Sequence, residues 1–273
     1  MSIVAFASLK GSPGVTTLAC LVAASWPEGL RPVVVECDPA GGDLGPRFGL
    51  TARSGWVTLV ATARREAGEL DLEPHLQQLP GGLEVLVAAT GREPTDRGRT
   101  AREGAERSLR TYADTAELII DLGRLEVDLA AADPWLGAAD VVCIVVRSEP
   151  APIMHLRDRV EELRRHCGGE LVLVVVEDGT YRPEEIAGFT GLEVVGVVPF
   201  DAGTASVATT GNGSRRRLER SGLAAAARRL AVTLAERSAA PAAPTAPTAP
   251  AAPEPLVSPG SDGPLPLAVP AER

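Results

Sequence analysis

The chain has 273 residues and a formal net charge of −9, and 45% of its residues are hydrophobic although only 3% are aromatic. The acidic balance argues against broad, nonspecific binding of DNA over the whole surface. Its apolar runs fall short of the roughly 18 residues that a membrane-spanning helix needs, and the N-terminus shows neither the basic start nor the cleavage site of a signal peptide. We therefore expect a cytoplasmic protein with a core of Val, Leu and Ala.

Composition divides the chain near residue 238. Residues 1–238 are enough for one domain with a substantial core. Residues 239–273 contain ten prolines, ten alanines and an A-P-T repeat, a composition that cannot bury enough apolar surface to fold. We expect a disordered tail with partial polyproline II character. A passive extension and a segment that docks a partner protein are both compatible with it.

Strand-like apolar runs recur along residues 1–238, with helix-like segments between them. The runs are continuously apolar, as is typical of strands covered on both faces. This alternation predicts a doubly wound α/β fold with a mostly parallel sheet. The predicted strands are residues 3–7, 33–37, 83–89, 118–122, 141–146, 171–176 and 194–198, and the predicted helices are residues 18–24, 101–113, 153–166 and 218–237.

One predicted helix carries a clear apolar stripe. Within residues 153–166, Leu156, Val160 and Leu163 recur on one helical face beside charged neighbours. This spacing predicts that the three side chains belong to the core.

The four cysteines are widely spaced and include no C-x-x-C pair. Three of them lie within apolar runs, a placement that favours buried thiols in a reducing cytosol over a disulfide or metal set. The four are Cys20, Cys37, Cys143 and Cys167.

The first predicted strand runs into a glycine-containing turn and the start of a helix, which is the context of a phosphate-binding loop. Lys10, at the start of this turn, is the only lysine of the chain. In the general pattern G-x-x-x-x-G-K-[ST] a lysine precedes the Ser or Thr, and Val15 occupies that place. An ordinary turn with one solvated lysine is the alternative interpretation. The full segment is Lys10-Gly11-Ser12-Pro13-Gly14-Val15-Thr16-Thr17.

This segment resembles the deviant phosphate-binding loop of the ParA/MinD family, K-G-G-x-G-K-[ST]-T. Ser12 replaces a glycine of that pattern, and Val15 replaces its second lysine. The fixed positions are matched by Lys10, Gly11, Gly14, Thr16 and Thr17.

The resemblance implies a P-loop NTPase fold of the SIMIBI type, with residues 10–17 holding the phosphates of ATP together with Mg²⁺. In the family the first lysine reaches across a nucleotide-bound homodimer to the partner's phosphates, and this catalytic role falls on Lys10. The second lysine neutralises phosphate in its own subunit, and the chain lacks it. Loss of one charge-assisted contact costs about 1.5–3 kcal/mol, so we expect a weak ATPase at best.

Acidic residues follow two predicted strands, at the edge where α/β folds bind ligands. Residues 36–44, ECDPAGGDL, resemble the D-x-D-x-x-G-G-D-L stretch of the pilus-associated CpaE/TadZ branch. Glu36 stands in the first acidic position, and Asp38 matches the catalytic residue that positions the attacking water. Asp121 ends a Walker B-like strand and can hold a Mg²⁺-bound water opposite the Thr16 hydroxyl. Plain strand ends capped by a turn are the alternative.

A second stretch bears on recognition of the base. Residues 196–201, GVVPFD, resemble the family's G-x-(I/V)-P-x-D step, in which Pro199 and Asp201 border the base and the ribose. The asparagine that reads adenine in the family is replaced, because residues 175–178 read VVED. The sequence therefore does not decide between ATP and GTP.

Two functions of different class follow from these residues. The retained Lys10, Thr16, Asp38 and Asp121 favour a slow ATP-dependent switch that dimerises and positions a cargo or a cellular machine. Val15, Ser12 and the missing asparagine favour a pseudo-ATPase, a fold kept as a protein-binding scaffold. The sequence names neither the partner protein nor the cargo.

A DNA-partitioning ATPase is a third interpretation. It rests on Arg215, Arg216, Arg217 and Arg220. The solvated start of a helix explains these arginines equally well. We therefore expect any binding of DNA to be weak.

Overall fold

The computed structural model describes residues 2–10, 13–51, 53–66, 68, 70–89, 99–129, 132–210 and 214–240. Gly11 and Ser12 of the predicted phosphate-binding loop lie outside these ranges, as does most of the Pro/Ala-rich segment. The predicted division of the chain at residue 238 and the predicted disorder of the tail therefore stay predictions.

Eight strands form one sheet in the described ranges. Their bounds are β1 Ile3–Ser8, β2 Pro32–Glu36, β3 Gln77–Gln78, β4 Glu84–Leu86, β5 Glu117–Arg124, β6 Val141–Arg147, β7 Glu170–Glu177 and β8 Val194–Pro199. The order across the sheet is β3-β4-β2-β5-β1-β6-β7-β8, and neighbours pair in parallel except β3 with β4. Strand β5 lies between β2 and β1, so the carboxyl ends of these three strands lie side by side.

Helices connect most of the parallel strands. A short 3₁₀ helix at Glu73–His75 precedes β3. None of the described helices has the length and continuous apolarity that crossing a bilayer demands. The helices are α1 Val15–Ala23, α2 Leu44–Phe48, α3 Trp56–Ala63, α4 Arg99–Tyr112, α5 Asp133–Leu136, α6 Pro150–His166, α7 Pro183–Thr190, α8 Ala202–Thr210, α9 Arg215–Glu219 and α10 Gly222–Ala239.

Both faces of the sheet are covered, which explains why its strands are apolar along their length. Along β1, Ile3 and Ala5 belong to the core on one face, while Val4 and Phe6 belong to the core on the other. Helices α3, α4, α6 and α7 contribute to the first core, and α1, α2 and α10 contribute to the second. The predicted doubly wound, mostly parallel α/β fold is confirmed.

The predicted helix at residues 218–237 is wrong as a single element, because the chain forms α9 and α10 with a break between them. Ser221 interrupts the helix, because its backbone is extended. Its hydroxyl accepts a hydrogen bond from the Ala224 amide at 3.1 Å. This is the geometry of an N-cap, which begins a new helix. The apolar spacing of Leu223, Leu230 and Leu234 holds within α10 alone, where all three are buried.

The strand predicted at residues 83–89 is shorter than expected. Beyond Leu86, the Val87 carbonyl accepts the Trp56 amide at 3.0 Å, and the Ala88 amide donates to the Glu36 carboxylate at 3.0 Å. Because the Val87 carbonyl and the Ala88 amide form these other hydrogen bonds, they are not available to pair with a neighbouring strand. The antiparallel edge strand β3 was not predicted, because its two residues are both glutamine and carry no apolar pattern.

The four cysteines lie at buried or partly buried positions. Cys37 and Cys143 are buried, Cys20 and Cys167 are partly buried, and no disulfide joins these four, all of which are described. Burial raises the pKa of the Cys167 thiol to about 12 and raises the pKa of Cys20 and Cys143 further. Such thiols stay protonated and packed.

Two residues of α6 allow a matched test of its orientation. Leu156 is fully buried in the first core, whereas Met154 is 42% exposed. We expect Leu156→Ala to lower the free energy of unfolding by about 2–5 kcal/mol, because it leaves a cavity. Met154→Ala should change it by no more than about 0.5 kcal/mol. Denaturant unfolding of both variants is the measurement, and equal losses would contradict this orientation.

Candidate functional site

A glycine with a left-handed backbone immediately precedes α1. Gly14 is the N-cap of α1 and has φ 91° and ψ 38°, a left-handed conformation that favours glycine. Its carbonyl accepts the amide of Leu18 at 2.9 Å and so begins the helix. The amides of the first turn of α1 are then directed at the carboxyl edge of the sheet, where a helix N-terminus favours an anion such as phosphate.

Val15, in the place of the missing lysine, does not face this edge. Its side chain is 6% exposed and packs in the second core, beneath the turn. The side chain therefore adds nothing to an anion site, and only the backbone amide of Val15 is left to serve it.

Thr16 and Asp121, the two predicted metal residues, are brought together. The hydroxyl of Thr16 hydrogen-bonds to the carboxylate of Asp121, which is 1% exposed at the carboxyl end of β5. The amide of Gly123 also donates to this carboxylate, at 3.0 Å. Burial raises the pKa of Asp121 to about 7; the two hydrogen bonds oppose the shift, and the charges of Glu36 and Asp38 add to it.

Asp38 lies over the same strand end. Gly123 has φ 57°, and a Cβ atom there would collide with the carboxylate of Asp38, so the two residues are in direct contact. The amide of Ala40 donates to Asp38 at 2.7 Å. Burial raises the pKa of this carboxyl group as well. Asp38 and Asp121 therefore flank Gly123 at one edge of the sheet.

Glu36, in the first acidic position, has a different environment. It is buried, and its carboxylate accepts the amides of Asp43 at 2.8 Å, Leu44 at 2.8 Å and Ala88 at 3.0 Å. These bonds tie the start of α2 and the segment that follows β4 to the end of β2. Glu36 thus holds the acidic loop in place.

A cleft of about 480 Å³ opens beside the N-terminus of α1. Pro13, Gly14 and Thr17 form one side of it, and Pro199 and Asp201 form part of the other. The structure therefore unites these five predicted binding residues around a single cavity. The carboxylate of Asp201 also accepts the amide of Thr204 at 2.9 Å and so caps α8.

Asp178, in the segment where the ParA/MinD family often carries an asparagine, belongs to an ion pair. Asp178 has a buried carboxylate that pairs with Arg147, whose guanidinium lies 5.0 Å from the centre of the Phe200 ring. The hydroxyl of Ser148 accepts the amides of Asp178 and Gly179 at 3.0 and 2.7 Å. Asp178 is not among the residues that line the cleft, whereas Phe200, 56% exposed, is one of them. Sequence reasoning missed this arrangement.

Lys10 is exposed and lies outside the cleft lining. Its ammonium is 3.0 Å from Nε2 of His155 on α6. The arginines proposed for DNA contact do not line the cleft either: Arg216, Arg217 and Arg220 are exposed on or beside α9, and the charge of Arg217 acts on Asp201 in the cleft lining.

Among the described residues that line the cleft, Arg47 is the one with a cationic side chain. It lies on α2 and forms an ion pair with Asp43 one turn earlier. Sequence reasoning missed Arg47. The spacing of four residues signals a helical ion pair, but nothing in the sequence places α2 beside the loop.

The donor set at this edge suits Mg²⁺. A hydroxyl and a carboxylate are hard oxygen donors, and Mg²⁺ keeps several waters while taking one or two protein groups plus substrate phosphates. The described residues contain no cluster of three His, Cys, Asp or Glu side chains that could hold a metal alone. Thr16 and Asp121 therefore fit a metal that enters with a phosphate ligand.

Comparisons with known proteins identify the fold. No protein-family model matches the sequence, and no curated protein is detectably similar to it. Solved structures do match. The ParA family ATPase of Chlorobium tepidum TLS has 17% identity and a TM-score of 0.67 over 85% of this chain and 97% of that one. MinD in the MinC:MinD complex of Aquifex aeolicus has 18% identity and a TM-score of 0.67 over 86% and 96%.

A third match is the septum site-determining protein MinD of Pyrococcus horikoshii OT3, in complex with Mg-ADP. It has 16% identity and a TM-score of 0.64 over 84% of this chain and 94% of that one. At such identities the likeness concerns architecture. The chain has the fold of the ParA and MinD ATPases.

Proposed function

We propose that the chain is a cytoplasmic nucleotide-binding protein of the ParA/MinD type that works as a slow, ATP-dependent dimerising switch. The contact between Thr16 and the buried Asp121, at the N-terminus of α1, is the observation that carries this proposal. Residues 36–44 support a place in the CpaE/TadZ-like branch, and with it a role in positioning a cellular machine.

In this proposal the phosphates bind at the first turn of α1, with the base and ribose toward Pro199 and Asp201. Thr16 and, through a water, Asp121 would hold Mg²⁺, which neutralises phosphate charge when bound. The cleft between the two sides supports this orientation. Phe200 offers an exposed ring for stacking a base.

Hydrolysis would depend on Asp38. Its carboxylate lies beside Gly123 and Asp121, where it can orient a water molecule toward the terminal phosphate. The buried Val15 leaves the loop without the lysine that stabilises charge developing in the transition state. The proposed rate is therefore low, and a pseudo-ATPase scaffold without turnover is the second candidate, favoured by this same valine.

Restoring the loop lysine tests the phosphate site. We expect Val15→Lys to strengthen binding of Mg-nucleotide by about 1–3 kcal/mol, because the long lysine stem can carry an ammonium from this buried position out to the phosphates. Val15→Ala is the matched control, since it removes the same buried side chain without adding charge. Calorimetric titration with Mg-ATP and Mg-GTP, with turnover recorded on the same preparation, is the measurement. If neither the unsubstituted chain nor Val15→Lys binds either nucleotide, the scaffold becomes the better account.

A second test concerns the switch. We expect Lys10→Ala to abolish a dimer that forms on adding ATP and Mg²⁺, because the ammonium would act across the dimer interface. The thermal midpoint without nucleotide should hardly change, since Lys10 is exposed. His155→Ala removes only the present partner of Lys10 and should still dimerise. Light scattering on the three proteins measures this; equal dimerisation of Lys10→Ala and the unsubstituted chain would refute a switching role for Lys10.

The buried carboxylate predicts a pH dependence in the metal-free protein. The native pKa of Asp121 is raised from 3.8 to about 7, so the native state binds the extra proton between these values. Its stabilising contribution is present below pH 4 and is lost as the pH rises through about 7. Asp121→Asn has no carboxyl group to titrate, so we expect its stability not to fall in this way. The difference between its thermal midpoint and that of the unsubstituted chain should therefore shift in favour of the variant between pH 6 and pH 8.

The exposed Asp114 provides the control for this experiment. Asp114→Asn removes the same charge at the surface and should follow the unsubstituted chain at both pH values. A gap between Asp121→Asn and the unsubstituted chain that stays constant from pH 6 to pH 8 would contradict the raised pKa of Asp121.

A further inference from the structure

The side chains of the phosphate-binding loop supply little positive charge to the candidate phosphate site. A nucleoside triphosphate is a polyanion, and P-loop proteins set a lysine of the loop against it. Here Val15 takes that place with a side chain buried in the core. Lys10 is in contact with His155 and does not line the cleft. Neither residue brings a cation to the phosphates within one subunit.

Arg47 lies where such a cation is needed. It lines the cleft together with Gly14 and Thr17, which belong to the loop and the first turn of α1. Its guanidinium acts electrostatically on Cys20, one turn further along α1 than Thr16, so it lies close to this helix.

The backbone that carries Arg47 is firmly placed. The buried carboxylate of Glu36 holds the first amides of α2, and the side chain of Leu44 is buried in the second core. The Arg47 amide in turn donates to the Asp43 carbonyl at 3.1 Å. Arg47 therefore projects from an anchored helix.

The present partner of Arg47 holds it only weakly. Asp43 has a side chain that is 58% exposed, and the pair is of the helical i, i+4 kind. Pairs of this kind contribute little net stability in water. A phosphate offers a planar guanidinium two parallel hydrogen bonds and more charge than one carboxylate, so exchange of Asp43 for phosphate is favourable.

We propose that Arg47 binds the phosphates of the nucleotide, supplying from α2 the positive charge that Val15 does not supply from the loop. This inference rests on the proposed nucleotide site and adds a specific phosphate ligand to it. If so, Arg47 and a lysine at position 15 would bind the same phosphate groups, and each would partly compensate for the loss of the other.

Calorimetric titration of the full chain with Mg-ATP tests the inference. We expect Arg47→Ala to weaken binding by about 10- to 150-fold, the effect of losing one charge-assisted contact. In the Val15→Lys background the same change should cost much less, because the new ammonium serves the phosphates. Arg47→Lys should recover part of the affinity. Adenosine, which carries no phosphate, should bind the unsubstituted chain and Arg47→Ala alike.

Two controls separate phosphate binding from a structural role. Asp43→Asn breaks the same ion pair but leaves Arg47 in place, so it should keep or improve the affinity for Mg-ATP. Arg229→Ala removes an exposed arginine of α10 that does not line the cleft, and it should bind as the unsubstituted chain does. Circular dichroism shows whether each variant is folded.

The outcomes are distinct. If the unsubstituted chain binds Mg-ATP and Arg47→Ala binds it equally well, the role of Arg47 is refuted while the nucleotide site stands. If Asp43→Asn loses as much affinity as Arg47→Ala, the ion pair acts by shaping α2, and the inference is again overturned. If the unsubstituted chain and Val15→Lys both fail to bind nucleotide, the proposed function itself fails, and this inference fails with it.

Discussion

The hydrogen bond from Thr16 to the buried carboxylate of Asp121 joins the helix after the first strand to the central strand β5. A carboxylate in this position is costly to ionise, because it is removed from water and lies near the acidic side chains of Glu36 and Asp38. A divalent cation would relieve that cost at once. The edge of the sheet thus concentrates acidic groups whose pKa values are raised by burial, which is typical of a functional site.

The three acidic residues at this edge differ because their surroundings differ. Glu36 accepts three backbone amides, so its oxygens are engaged in holding the loop and α2. Asp38 accepts the Ala40 amide and lies against Gly123 at the mouth of the loop. Asp121 faces the hydroxyl of Thr16 in the interior. One carboxylate is fully engaged in holding the loop, and the other two lie at the edge where a ligand is proposed to bind.

The sequence predicts this fold well because the two-sided burial of the sheet leaves long apolar runs, each ending where the ligand site begins. Asp38 and Asp121 follow from that rule, since strand ends in α/β folds meet at one edge. The burial of the Val15 side chain in the core depends on packing between segments that are distant in sequence, and so does the ion pair between Arg147 and Asp178. No local pattern encodes such contacts, and the break at Ser221 is marked in the sequence only by a serine that can serve as an N-cap.

The position of Arg47 gives the proposed switch a physical route. A lysine at position 15 would belong to the start of α1, whereas Arg47 belongs to α2, which directly follows the Asp38 loop and packs against α8. A phosphate that draws Arg47 away from Asp43 would pull on the same segment that carries Asp38 and on a wall of the cleft. With the cation on α2 instead of in the loop, the proposed binding of phosphate would act on the segment that also carries Asp38. Such coupling would suit the proposed switch, in which the nucleotide state matters more than fast turnover.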